Sequence, residues 1–235
     1  MSSPLHLVAL GSSFASGPGI QPISSRRKMR SSLNYPTLLA ARLSASLRDL
    51  TSAGATLLNL LDTPQIRFGA LPPQVEQITS DAGIVLVVGP AINPTMLASE
   101  DEVVDRFGTV IDAVRERAPR ARILLVVYLT ILGRDAKLGP DIPFTEEQFE
   151  HHQQMGMVLK RAYARAAEAK EGVKVVPIAE LSDGHGVGSE EPWVTTHGWA
   201  LLYGGMMSWH PNKRGMEAVA EIMFERLKGA TRAKL

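Results

Sequence analysis

Residues Ile84–Val88, Ile-Val-Leu-Val-Val, form an unbroken apolar run that stops at Gly89. A strand of this composition has no polar side to turn toward water, so it must be covered on both faces, as in a parallel sheet. Ile123–Tyr128 reads the same way, and Leu5–Leu10 and Val173–Pro177 are strands of the same kind interrupted by His6 and Lys174. Helical periodicity fills the intervals. Asn34–Leu47 has Asn34 at the cap position, Pro36 in the first turn, and Leu38, Leu39, Ala41 and Leu43 on one side. Glu102–Arg117 is amphipathic, Thr145–Lys170 carries a stripe through Phe149, Met155, Leu159 and Tyr163, and Lys213–Leu227 forms a last helix. A short helix is expected over Pro73–Thr79 and a weak second strand over Leu50–Ala55, ending at Gly54. Arg26–Ser32 reads as a basic loop and Ser182–Trp209 as a long irregular tract. Strands alternating with helices in this manner imply an α/β protein with a parallel sheet sandwiched between helices.

Composition narrows the function classes. A chain of 235 residues, 45% hydrophobic and without a linker-like tract, suits one domain spanning 1–235. The formal net charge of +1 gives no general pull toward nucleic acid or acidic membranes. There is no cysteine, which excludes disulfides and thiolate chemistry. No secretory signal and no apolar run near the ~20 residues of a membrane span is visible. The default expectation is a soluble, cytoplasmic protein that binds no nucleic acid.

Chemistry concentrates at Leu7–Gly19, where an apolar run ends at Gly11 and two serines follow. The carboxyl end of a buried strand is where α/β proteins bind ligands, and a hydroxyl on the turn into a helix lies near free N–H groups. Ser13 is therefore a candidate nucleophile; the plain alternative is that Ser12 or Ser13 only caps the helix. Gly54 ends the expected second strand, Asn93 follows the third, and His210 precedes the last helix. A hydroxyl, an imidazole, a glycine N–H and a side-chain amide are the parts that acyl transfer needs.

With these residues in place the chain resembles the GDSL/SGNH hydrolase superfamily, especially its small esterase-like members from fungi and actinomycetes. The resemblance rests on Leu10-Gly-Ser-Ser-Phe-Ala-Ser-Gly17, Arg30-Ser-Ser-Leu-Asn-Tyr-Pro36, Ser52-Ala-Gly-Ala-Thr56, Tyr128-Leu-Thr130, Pro192-Trp-Val194 and His210-Pro-Asn-Lys-Arg-Gly-Met216, in that order. It implies a three-layer α/β/α sandwich of the SGNH-hydrolase, flavodoxin-like kind with about five parallel strands. It also implies an esterase acting on a small or medium acyl ester without metal or organic cofactor. Ser13 is then the nucleophile and His210 the base, with an oxyanion hole from the N–H groups of Ser13 and Gly54 and the Asn93 side chain.

The chain departs from the family pattern at three places. Ser12 stands where the first block usually has Asp. The third block, normally Gly-x-Asn-Asp, reads Gly89-Pro-Ala-Ile-Asn93-Pro94. Met207 occupies the position of the triad acid. No Asp or Glu lies between Trp193 and His210, so a main-chain oxygen near Met207 is expected to accept the His210 Nδ1 proton. Acyl transfer, a cyclisation in the same pocket, or a binding module without hydrolysis are the alternatives that the altered third block keeps open. Trp193, Trp209 and Met207 are candidate substrate contacts, with Trp199 nearby, although packing of a long loop explains the tryptophans equally well. His151 and His152 read as a solvated helix face rather than a metal site, and Arg26, Arg27, Lys28 and Arg30 as an exposed basic loop.

Overall fold

The computed structural model describes residues 4–89, 99–197 and 207–232. A sheet of five parallel strands runs through the centre: β1 (His6–Leu10), β4 (Ser46–Asp49), β7 (Ile84–Val88), β8 (Arg122–Val126) and β9 (Val173–Val176), in the order β4-β1-β7-β8-β9. Alternate residues of each inner strand go to opposite sides. Val8, Leu10, Val85, Val87, Ile123 and Leu125 join one core, and Leu7, Ala9, Ile84, Leu86, Leu124 and Val126 join the other. The first core is closed by α3 (Leu57–Leu61), α4 (Glu100–Arg117) and α5 (Glu146–Glu168), with Phe107, Ile111 and Tyr163 fully buried. The second is closed by α1 (Ser13–Ser16), α2 (Tyr35–Leu43) and α7 (Lys213–Arg232) through Tyr35, Leu39, Met216, Val219 and Met223. The short α6 (Ile178–Leu181) follows β9 and adds Ile178 to the second core. Each of these side chains contributes about 1.5–3 kcal/mol by leaving water. This is the expected three-layer α/β/α sandwich. Among the described residues no helix is long and apolar enough to cross a membrane.

The chain leaves β1 and goes to β4 on one side, then to β7 on the other. The carboxyl end of β1 is therefore a topological switch point, the place where such folds bind ligands.

Two expected segments shift. The helix starting after the Asn34 cap, whose Oδ1 accepts from Thr37 N at 3.0 Å, ends at Leu43 rather than Leu47. Ser44 turns to a left-handed φ of 50°, and Ala45 N donates back to Ala40 O at 2.9 Å. That stop frees Ser46 to pair with His6, so the second strand is β4 and not Leu50–Ala55. Residues 50–55 form instead a loop tied to the nucleophile turn, where Ser52 N donates to Gly11 O at 3.0 Å. The expected basic loop over 26–32 contains one arm of a small hairpin, β2 (Ile23–Ser25) with β3 (Arg30–Ser31). A second small hairpin joins β5 (Gln65–Ile66) to β6 (Ala70–Leu71).

Candidate active site

Gly11 is where β1 ends, and its φ of +147° takes the chain out of the sheet. A Cβ there would lie 2.7 Å from the Val88 carbonyl oxygen and 2.8 Å from the Val88 Cβ, so only glycine lets β1 and β7 close at this level. The buried side chain of Gln74 grips the same residue. Its Oε1 accepts from Gly11 N at 2.7 Å and its Nε2 donates to Gly11 O at 3.1 Å, continuing the sheet ladder with an amide.

Ser12 is fully buried and its side chain makes no cap bond. Its hydroxyl lies 3.0 Å from the Gly89 carbonyl, as donor, and 2.5 Å from the Tyr128 hydroxyl, which itself donates to Gly89 O at 2.5 Å. Ser12 thus fastens the turn to the ends of β7 and β8, a task suited to the position the family gives to Asp. Burial raises the Tyr128 phenol well above its ordinary pKa, so it remains a donor.

Ser13 opens α1 and is nearly buried. Its Oγ lies 2.9 Å from His210 Nε2, a contact joining residues 197 positions apart in the chain. The other ring nitrogen, Nδ1, is 2.8 Å from the Ser208 carbonyl oxygen. A carbonyl can only accept, so Nδ1 carries the proton and the Nε2 lone pair faces the Ser13 hydroxyl. Burial lowers the His210 pKa below the ordinary imidazole value, and the Ser208 carbonyl offsets part of that shift by favouring the protonated ring. Phe14 stacks on Tyr128 with centroids 4.0 Å apart and supports the imidazole from 5.2 Å.

The loop bearing His210 is held by backbone bonds and by the side chains of Thr195 and Asn212. Thr195 N donates to His210 O at 2.8 Å, Trp209 N donates to Thr195 O at 2.9 Å, and Val194 pairs with Pro211 in an isolated bridge. Thr195 Oγ1 donates to Met207 O at 2.6 Å and accepts from His210 N at 3.2 Å. Asn212 ties the start of α7 to Pro192 O at 2.8 Å and accepts from Gly215 N at 2.9 Å. Asp183 and Glu191, carboxylates upstream of this loop, are engaged elsewhere: Asp183 bonds Arg134 and Glu191 bonds Arg214, each at 2.8 Å.

With a buried serine–imidazole pair at the switch point of a five-stranded parallel sheet, the comparisons with known proteins converge. Residues 9–218 match the model of the GDSL-like lipase/acylhydrolase family. The chain belongs to that family. Membership makes it, by family, a serine ester hydrolase. It is 27% identical to Lipase 2 of Streptomyces coelicolor over 256 residues, covering 92% of this chain and 84% of that protein. Its fold is similar to that of phospholipase A1 from Streptomyces albidoflavus NA297, with a TM-score of 0.75 and 20% identity over 94% of this chain and 98% of the other. It is also similar to an extracellular lipase from Streptomyces rimosus, with a TM-score of 0.71 and 18% identity over 93% and 98% of the two chains.

Seen as a GDSL-family site, the remaining sequence candidates fall as follows. Gly54 sits in the loop tied to Gly11, exposed, with a left-handed φ of +77°. Asn93 and Trp199 lie outside the described residues. Trp209, directly before His210, donates from its indole to Asp141 O at 3.2 Å and packs on Phe144. Trp193 stacks on His185 with centroids 3.9 Å apart and lines an open groove of about 810 Å³ with Arg42, Lys213 and Glu217. Met207 is exposed, and the main-chain oxygen that orients His210 belongs to its neighbour Ser208. His152 lies against Phe144. Three contributors escaped the sequence reading: Gln74, Tyr128 and Thr195. Tyr128 and Thr195 lie within or beside motifs already singled out, whereas Gln74, in Leu-Pro-Pro-Gln-Val, carries no local signal.

Proposed function

We propose that this chain hydrolyses small or medium carboxylic esters through a Ser13–His210 dyad, the place of the acid being taken by the Ser208 carbonyl. His210 Nε2 removes the Ser13 proton as Oγ attacks the ester carbonyl. The oxyanion is held by the main-chain N–H groups of Ser13, free at the first turn of α1, and of Gly54. The imidazolium then gives its proton to the departing alcohol oxygen, leaving an acyl group on Ser13. Water, deprotonated by the same nitrogen, attacks the acyl carbonyl and returns Ser13 and the free acid.

The observation that carries this reading is the 2.9 Å approach of Ser13 Oγ to an imidazole nitrogen whose lone pair is directed at it. A ligand-binding module has no use for that tautomer. The test is labelling with a fluorophosphonate followed by mass spectrometry. One adduct on Ser13, absent in Ser13→Ala and His210→Ala, is the expected result. Turnover of short p-nitrophenyl esters without any adduct on Ser13 would overturn the reading.

A further inference from the structure

At one edge of the molecule cationic and apolar side chains are exposed together. Three segments meet there: 26–29, 52–54 and the β5–β6 hairpin. Arg27 Nε donates to Arg67 O at 3.2 Å and its Nη2 to Ala70 O at 2.9 Å. Gln65 Nε2 and Arg67 Nη1 both donate to Ala53 O, at 2.9 and 3.2 Å, and Ala53 N donates to Lys28 O at 3.0 Å. The hairpin is thereby fastened to the loop of Gly54, beside the nucleophile turn.

At its tip Phe68 is 87% exposed and Ile66 79%, the highest values for large hydrophobic side chains among the described residues. Phe68 also has a left-handed φ of +47°, an uncommon conformation for a bulky side chain. A ring held in water by a disfavoured backbone contributes nothing to the core of this chain.

The three segments themselves carry charge of one sign. Segments 21–31, 51–58 and 64–72 contain Arg26, Arg27, Lys28, Arg30 and Arg67 and no carboxylate. Arg30 pairs with Asp49. Arg26, Arg27, Lys28 and Arg67 make no ion pair with any described residue, as is also true of Arg48, Arg115, Arg117, Arg120, Arg122, Lys137, Lys174 and Arg226; what sets 26–28 apart is three consecutive cations beside an exposed apolar tip. Burial, together with Arg30, Arg27 and Arg48 set against the single carboxylate of Asp49, holds the Lys28 ammonium below its ordinary pKa, in keeping with a positive local field. A net charge of +1 for the whole chain conceals this asymmetry.

We propose that this edge is a docking surface for an anionic lipid–water interface, with Phe68 and Ile66 entering the acyl region and Arg26, Arg27 and Lys28 lying at the phosphates. Apolar side chains at a protruding tip, ringed by cations, have the composition of an interfacial anchor. An aliphatic residue beside a lone ring fits acyl chains better than stacked bases, which need successive aromatic platforms. Docking here would bring the loop of Gly54, to which the hairpin is bonded, against the lipid surface. The inference goes beyond the esterase reading and does not depend on it, because binding is measured without turnover.

The experiment is co-sedimentation of the full-length Ser13→Ala protein with phosphatidylglycerol or phosphatidylcholine vesicles. Binding to phosphatidylglycerol is expected to be at least about tenfold tighter and to weaken with salt. The double variant Phe68→Ser, Ile66→Ser should lose about tenfold or more, and Arg26→Gln, an exposed side chain with no partner among the described residues, about fivefold. In the Ser13-intact protein the Phe68/Ile66 variant should hydrolyse a water-soluble ester normally, which excludes misfolding. No binding to phosphatidylglycerol, or equal binding by parent and both variants, would overturn the proposal. So would single-stranded nucleic acid bound in preference to vesicles and released by Phe68→Ser.

Discussion

The two halves of the serine–imidazole pair are held by different means. On the serine side, side chains clamp the backbone: Gln74 grips both polar groups of Gly11, and Ser12 and Tyr128 converge on Gly89 O. On the histidine side, backbone orients the catalytic ring: Ser208 O accepts from it, and Thr195 fixes residues 207–210 through both its main chain and its hydroxyl. Tautomer and direction of an imidazole can therefore be set by a loop with no carboxylate in it. What the loop does not supply is a full negative charge to stabilise the imidazolium. The histidine side should accordingly be the weaker electrostatically and the more tolerant of side-chain change.

The largest effects should come from the pair itself. Ser13→Ala and His210→Ala are each expected to lower kcat by about 10⁴-fold or more, and the double variant little further, since the two act as one unit. Strictly additive losses in steady-state assays would break the pairing. On the serine side, Gln74→Ala leaves the buried N–H of Gly11 unpaired and its C=O bonded only to Ser52 N. It should cost about 2–4 kcal/mol in denaturant unfolding and lower kcat with it. A loss of kcat with stability unchanged would instead place Gln74 in direct contact with substrate. On the histidine side, Thr195→Val should leave folding nearly intact but lower kcat about tenfold at constant KM, as the ring loses its fixed direction. The smallest effect is expected from Met207→Ala, within about twofold in kcat and without change in the pH profile, because the accepting atom belongs to the backbone of Ser208.

The same contrast explains what could be read from the sequence. Ile84–Val88 was legible because both its faces are buried, and the run β7 occupies coincides with it. Ser13 and His210 lie in short motifs with recognisable neighbours, and the structure brings them together. β4 was not legible. It is an edge strand, Ser-Leu-Arg-Asp, with alternate residues exposed, and the Leu43-to-Leu47 spacing continues the helical stripe before it. Gln74 was hidden because its partner is 63 residues away and no local pattern requires an amide there. The orienting group of His210 has no sequence signature, since every residue carries a carbonyl; the absence of a carboxylate from 194–209 pointed to the backbone without choosing Ser208 over Met207.

The most direct test of a histidine oriented by main chain alone is the pH dependence of kcat/KM on a soluble ester. His210 must be neutral to act as base, so activity falls as pH drops through its free-enzyme pKa. Burial lowers that pKa and no carboxylate raises it. The acid limb is therefore predicted to have its midpoint below the ordinary imidazole value of about 6.5. A midpoint above that value, returning below it in Asp183→Asn or Glu191→Gln, would show a carboxylate paired with His210 and contradict orientation by the Ser208 carbonyl.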